Sequence, residues 1–272
     1  MKKLLILTVI VLAFALAFTS CGLFDGGKDS NQGGNNGNET ENGGSTENGD
    51  NTEDGGNTES GNNENDINNE APNYSQGLKF TSMGDGTCFV SGIGTCTDHD
   101  IVIPPTSPNG DRVTVIGGAA FRMCHTITSI VIPDSVTGIG ASAFAYCKFL
   151  RSVVIPDSVT GIREEAFAYC SNLVSVVVPD RVANIGYNAF YDCMRLTTIV
   201  IGKGVTSIGN CAFDRSYADI FYNGDEDSWG QIEIGYENEG LQSSTIYFYS
   251  EGQPTLDGDF WHYVDEVPTA WQ

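Results

Sequence analysis

One stretch of the chain decides its fold, and it reads Ile130-Val-Ile-Pro-Asp-Ser-Val-Thr-Gly-Ile-Gly-Ala-Ser-Ala-Phe-Ala-Tyr-Cys-Lys-Phe-Leu-Arg-Ser152. The same pattern returns in residues 153–175 and again in residues 176–198, which gives a period of 23 residues. A phenylalanine keeps this interval in five successive copies, at Phe121, Phe144, Phe167, Phe190 and Phe213. Columns of Ala, Ile, Val and Cys keep the same interval, so the chain contains an internal repeat.

The repeat has the length of a leucine-rich repeat, and Leu150-x-x-Val153-x-Ile155 matches the L-x-x-L-x-L motif that begins one. Because successive side chains of a strand face opposite ways, Val153 and Ile155 are expected to point inward and Val154 outward. Each unit is predicted to hold a short parallel strand, a second short strand and one helical turn, which falls at residues 166–170 in the unit over 153–175. We therefore predict a β-rich solenoid of about five coils, with a cap at each end.

Composition and repeat pattern predict five segments. They are a signal peptide (1–20), a lipid anchor with a disordered acidic tether (21–76), an N-terminal cap with the first strand (77–112), the leucine-rich repeats (113–216) and an aromatic C-terminal cap (217–272). A first, incomplete copy of the repeat begins at 101–104 and carries a six-residue insertion around 105–110. A hairpin over 87–96 is predicted to cover the first coil, and Cys88 and Cys96 could form a disulfide across it.

The first twenty residues have the layout of a secretory signal. Two lysines precede an apolar run over residues 4–18, which is shorter than the ~20 residues that a membrane-spanning helix needs. The ending Phe18-Thr19-Ser20-Cys21 resembles the lipobox of bacterial lipoproteins, in which the cysteine is diacylated and becomes the new N-terminus. The resemblance implies that Cys21 carries the lipid and that the protein is extracytoplasmic, membrane-anchored and located at the cell surface. The alternative is an ordinary cleaved signal with an incidental cysteine.

Residues 22–76 have the composition of a tether. They contain 12 Gly, 14 Asn and 12 acidic residues, with almost no large apolar side chain. Such a segment buries too little surface to offset the entropy of ordering it, so it is predicted to be disordered. As a flexible coil it would span roughly 40 Å and would lift the folded part of the protein off the membrane.

Charge and residue content exclude several kinds of function. The chain has 35 acidic and 13 basic residues, a net charge of −22, which argues against nucleic-acid binding. Its three histidines share no spacing typical of a catalytic pair, so no enzyme, no metal and no cofactor beyond the lipid are predicted. Four cysteines recur at the repeat interval, and a linear column of thiols cannot surround zinc. They are read as small buried hydrophobic residues: Cys124, Cys147, Cys170 and Cys193.

The repeat also resembles a known family. Phe144-x-x-Cys147-x-x-Leu150, together with Ile-Val-Ile-Pro and Val-Thr-x-Ile-Gly segments, is similar to the BspA-type leucine-rich repeat of bacterial and some protozoan surface proteins. The resemblance covers about residues 87–250, with Arg163 in place of the usual Gly and Gly202 in place of the usual Pro, so looser junctions are expected there. It implies attachment to matrix proteins or other bacteria, but a fold does not transfer a ligand.

The outward side of the strands, the concave strand face of the predicted solenoid, is the candidate binding surface. A valine stripe is predicted there, rimmed by hydroxyl groups and one arginine, and such a stripe suits a partner protein better than a sugar. The alternative is that valine only satisfies strand propensity. The candidate residues are Ser129, Val131, Arg151, Ser152, Val154, Ser175, Val177, Thr198 and Val200.

Three functions compete at this point. The first is a lipid-anchored, monomeric adhesion or partner-binding protein whose partner is an extracellular or envelope protein. The second is a structural spacer of the envelope without a specific ligand. The third is a glycan-binding protein that uses the aromatic C-terminal region, in which Trp261 could stack on a sugar. The alternative for the tryptophans of this region is that they fill the core.

Overall fold

The computed structural model describes residues 73–254, 258–264 and 267–271. The predicted signal peptide, Cys21 and almost all of the tether lie outside these residues. The described chain winds into a β-solenoid of about seven turns, rather than the predicted five, with the expected spacing of about 23 residues. The difference arises because two later turns, around the strands at 219–222 and 246–249, depart from the sequence columns that identify the repeat.

One side of the solenoid is a row of parallel strands, one for each turn. Neighbours pair at the repeat interval, for example Ile130 with Val153 and Val176 with Ile199. The first pair joins Ile101 to Ile130, and this longer offset accommodates the predicted insertion. The seven strands are β3 (Asp100–Val102), β5 (Ser129–Val131), β7 (Ser152–Val154), β9 (Ser175–Val178), β11 (Thr198–Ile201), β13 (Asp219–Tyr222) and β15 (Ile246–Tyr249).

A second row of shorter strands lies on another side of each turn. The hairpin β1 (Lys79–Ser82) and β2 (Thr87–Gly92) begins this sheet, and β2 pairs in parallel with β4 (Arg112–Ile116). The sheet continues through β6 (Gly138–Ile139), β8 (Gly161–Ile162), β10 (Asn184–Ile185), β12 (Ser207–Ile208) and β14 (Glu233–Ile234). The second strand predicted for each unit is therefore present.

The third side consists of consecutive turns, and the predicted helical turn at 166–170 is wrong. Glu165 and Tyr169 have positive φ angles of 55° and 61°, which an α-helix does not allow. Alternate backbone N–H groups bond to the next turn of the solenoid, as in Phe167 N–H to the Ala189 carbonyl at 2.8 Å. The remaining N–H groups close turns within the same coil, so the backbone is hydrogen-bonded here without a helix.

A ladder of stacked phenylalanine rings fills the interior beside these turns. The five rings found at the repeat interval are fully buried, and neighbouring ring centroids lie 5.1–5.3 Å apart in nearly parallel planes. Val153 and Ile155 also point inward, as predicted, whereas Val154 is partly exposed. Stacking of the coils therefore creates the core that a single coil lacks.

The N-terminal hairpin differs from the predicted one. Its turn lies at 83–86, so Cys88 faces Ser82 across the hairpin instead of Cys96. Cys88 is buried, with its Sγ 3.6 Å from the Asp111 carbonyl oxygen, and Cys96 follows the strand in a loop. The candidate disulfide is not formed in this structure, where both thiols are free.

The C-terminal region extends the first sheet. Two short helices, α1 (Glu226–Trp229) and α2 (Glu239–Ser243), connect its last turns. After β15 the chain forms β16 (Phe260–Val264), which pairs in parallel with β15, and then β17 (Val267–Ala270), which pairs antiparallel with β16.

The junction at Gly202 is not loose, although the sequence predicted that it would be. An added Cβ there would lie 2.5 Å from the Pro179 backbone, so the coils pack closely at this point.

The repeated cysteines do more than fill space. The Sγ atoms of Cys147, Cys170 and Cys193 donate to phenylalanine carbonyl oxygens of the preceding coil at 3.0, 3.2 and 3.3 Å. Burial raises the pKa of the Cys147 and Cys193 thiols to about 12, which keeps them protonated as donors. Ser216 takes the same place one coil later and donates to the Phe190 carbonyl at 2.8 Å. The column is thus a hydrogen-bonding position that serine can also occupy.

This role predicts an unusual order of stability for two variants. Cys170→Ser should retain the donor to the Phe144 carbonyl, whereas Cys170→Ala should remove it and cost about 1–2 kcal/mol of unfolding free energy. Chemical denaturation of both variants would measure the difference. If Cys170 were only a small hydrophobic residue, alanine would be the better tolerated replacement, and that order would contradict the role.

Candidate functional site

The candidate surface is the solvent-facing side of β3 to β13, here called the strand face. Parallel pairing places equivalent residues in rows that cross the strands. The rows are joined across β7 and β9 by the Val174 N–H, which donates to the Arg151 carbonyl at 3.1 Å. The sequence therefore determines which side chains are neighbours on this face.

The first row carries hydroxyl groups, as predicted. Ser129, Ser152, Ser175 and Thr198 are all partly buried, and Arg151, next to this row, is exposed. At the N-terminal end of the row Asp100 accepts hydrogen bonds from Ser129 at 2.6 Å and Thr128 at 2.7 Å. These bonds lower the pKa of the Asp100 carboxyl group, so it holds a negative charge at this end of the face.

The second row is the valine stripe, and the structure opens only part of it to solvent. Val131 and Val154 are partly exposed and Val177 is 39% exposed. These three residues form an apolar strip between the hydroxyl row and the opposite edge of the face. A strip of this kind can contact an apolar surface of another molecule.

Val200 does not belong to the exposed stripe, and its prediction as a ligand-binding residue is corrected here. It is 3% exposed because it packs in a small cluster with Phe221 and Trp261. Trp261 is fully buried, and its Nε1–H donates to the Tyr222 carbonyl at 2.8 Å. The aromatic C-terminal residues therefore cover the end of the strand face itself, which no local sequence signal indicated.

The aromatic cover ends in two exposed tyrosines. Tyr249 is 38% exposed and Tyr263 is 46% exposed. Both rings pack edge-on against Trp261, with centroid separations of 5.2 and 4.9 Å. The aromatic cover over Val200 therefore carries two exposed tyrosine side chains, neither of which was predicted as a site residue.

The edge of the face that follows the strands is acidic in three successive coils. Asp134, Asp157 and Asp180 occupy the same position after the strand-ending prolines, and Lys203 takes this position in the next coil. Asp180 accepts hydrogen bonds from the Lys203 backbone N–H at 3.1 Å and from the Asn223 side-chain amide at 2.8 Å. Both donors are uncharged, so the carboxylate is held in place without being neutralised by them.

Metal and membrane features are absent from the part of the chain that the structure describes. No group of three or more His, Cys, Asp or Glu side chains there could hold a metal ion. No helix among those residues is long and apolar enough to span a membrane.

The stacked coils and the two rows of parallel strands define a leucine-rich-repeat solenoid. Residues 100–218 match, in six copies, a family model described as the BspA type leucine rich repeat region. These repeats belong to the BspA-type leucine-rich-repeat family.

Solved structures with the same kind of repeat resemble the chain. A leucine rich repeat protein of T. pallidum is 23% identical with a TM-score of 0.51, and the match covers 66% of this chain and 86% of the other. A leucine-rich repeat protein of Bacteroides capillosus ATCC 29799 is 33% identical with a TM-score of 0.42, and the match covers 46% of this chain and 94% of the other. A leucine rich cell surface protein of Faecalibacterium prausnitzii A2-165 is 26% identical with a TM-score of 0.47, and the match covers 70% of this chain and 57% of the other. No curated protein matches the chain.

Proposed function

We propose that this chain is a lipid-anchored bacterial surface protein that binds another protein through its strand face. The observation that supports the proposal is the strip of Val131, Val154 and Val177, which stays open to solvent. The inward-facing residues of the same strands are buried. In a solenoid of this length such a strip offers several adjacent contact points on neighbouring parallel strands. The partner is an extracellular or envelope protein, and the chain acts as a monomer without catalysis or cofactor.

The proposed anchor explains how the protein stays at the membrane. The acidic chain is not attracted to anionic lipid headgroups, so acyl chains on Cys21 supply the attachment. The acidic tether of residues 22–76 then places the solenoid away from the lipid surface. Metabolic labelling with a fatty-acid analogue tests this step, because Cys21→Ser would abolish the labelling.

Burial of Trp261 weighs against a glycan-binding function that relies on this ring. A fully buried ring cannot stack on a sugar, and the Trp261 ring instead packs against Val200. The spacer alternative predicts no specific partner at all, so a binding experiment separates it from the proposal.

The test is binding of the protein to an array of matrix proteins, envelope proteins and glycans. The variant Val131→Asn plus Val154→Asn makes the strip polar without changing the net charge. Loss of this apolar contact should weaken a true partner at least about tenfold. A partner that binds the variant as tightly as the unmodified protein does not use the strand face.

A further inference from the structure

Tyr263 is an exposed part of the aromatic cover at the C-terminal end of the strand face. Its ring lies against Trp261, which itself covers Val200, so Val177 in the neighbouring strand is the first valine of the row left uncovered. With 46% of Tyr263 exposed, a bound molecule on the valine strip could reach its ring.

Printed contacts connect the acidic edge to the same ring through Trp261. The Tyr263 ring packs against Trp261, which donates to the Tyr222 carbonyl, and the next residue, Asn223, donates to Asp180. Burial and, after it, the negative charge of Asp180 raise the pKa of the Tyr263 phenol, and Asp157 adds to the effect. Asp180 itself follows β9, the strand that carries Val177, and its position is fixed by the two neutral donors described above. An apolar strip, an exposed aromatic ring and a fixed negative charge therefore meet at one place.

These three features match the chemistry of a lysine or arginine side chain. The alkyl stem of such a side chain packs on apolar surface, its charged end pairs with a carboxylate, and the cation is attracted to an aromatic ring. The net charge of −22 would also steer a basic partner toward the chain.

We propose that the partner presents a basic protein segment to the strand face, with a lysine or arginine side chain between Tyr263 and Asp180 and apolar neighbours on Val177 and Val154. This inference rests on the proposed function and adds the chemistry of the partner. It requires binding that depends on charge, which the valine strip alone would not produce.

The test uses the full chain and a labelled ten-residue peptide of alternating valine and lysine, measured by fluorescence anisotropy. The same peptide with acetylated lysines keeps the stems but loses the charge. We expect the acetylated peptide to bind at least about tenfold more weakly, and Asp180→Asn and Tyr263→Ala each to weaken the lysine peptide about fivefold or more. Asp180→Asn retains an oxygen that can accept from Lys203 and Asn223, so the fold should be preserved.

The matched control is Glu164→Gln, which removes the same charge from an exposed residue that follows β8 in the other sheet. Equal binding of the two peptides, no binding of either, or equal effects of Asp180→Asn and Glu164→Gln would overturn the inference. A partner from the array that is lost with Val131→Asn plus Val154→Asn but unaffected by Asp180→Asn would also overturn it, while leaving the proposed function in place.

Discussion

Replacing Phe167 by alanine is expected to lower the free energy of unfolding by about 3–5 kcal/mol. Phe167 is fully buried in the middle of the ring ladder, with Phe144 stacked at 5.1 Å on one side and Phe190 at 5.2 Å on the other. The backbone on both sides is tied to neighbouring coils by hydrogen bonds, so the cavity cannot easily collapse. Chemical denaturation would measure the loss.

Phe149→Ala is the matched control for this prediction. It makes the same chemical change at a residue that is 53% exposed, and it should alter stability by no more than about 0.5 kcal/mol. Equal effects of the two substitutions would mean that the ring ladder is not the core of the solenoid.

Replacing Trp261 by alanine is expected to cost about 3–5 kcal/mol as well, although it lies far along the chain from the regular repeats. The substitution removes a fully buried ring, the hydrogen bond to the Tyr222 carbonyl and the cover over Val200. Thermal or chemical denaturation of the variant would show the loss as a lower midpoint.

Two further substitutions test the reason for this effect. Trp261→Phe retains most of the ring but not the donor, so about 1–3 kcal/mol is expected. Trp271→Ala makes the same change at a partly exposed ring stacked on His262 and should cost less than half as much as Trp261→Ala. Unchanged stability of Trp261→Ala would contradict burial of this ring and would restore it as a candidate sugar platform.

The regular interval made most of the fold predictable. Because one column of residues occupies one place in every coil, the inward direction of Val153 and Ile155 and the pairing of successive strands followed from the sequence. The number of coils was underestimated because strands such as β13 and β15 pair at offsets of 21 and 26 residues, where the columns no longer align. Periodicity identifies a repeat only while the interval is kept.

Other errors came from contacts or backbone angles that no local pattern encodes. The three-residue spacing of Phe167 and Cys170 suits a helix, but the left-handed residue Tyr169 between them breaks the segment into turns. Val200 looked like the other valines of its row because the ring that buries it lies 61 residues later in the chain. A site built from distant segments, such as Val200 packed against Trp261, is visible only in the folded structure.

The exposed part of the strand face favours the proposed partner binding over a spacer function. The strand face keeps an apolar strip of three valines, with hydroxyl groups on one side, carboxylates on the other and tyrosines at the end. A spacer makes no use of this combination, whereas the proposed binding of a partner does.

The most direct test is the dissociation constant of the tightest binder from the array, measured with three forms of the protein. They are the unmodified chain, Val131→Asn plus Val154→Asn, and Met123→Asn plus Met194→Asn, which changes two exposed apolar residues away from the strand face. We expect the valine variant to bind at least about tenfold more weakly and the methionine variant to bind with unchanged affinity. Equal affinities for all three folded forms, or no binder in the array, would contradict it.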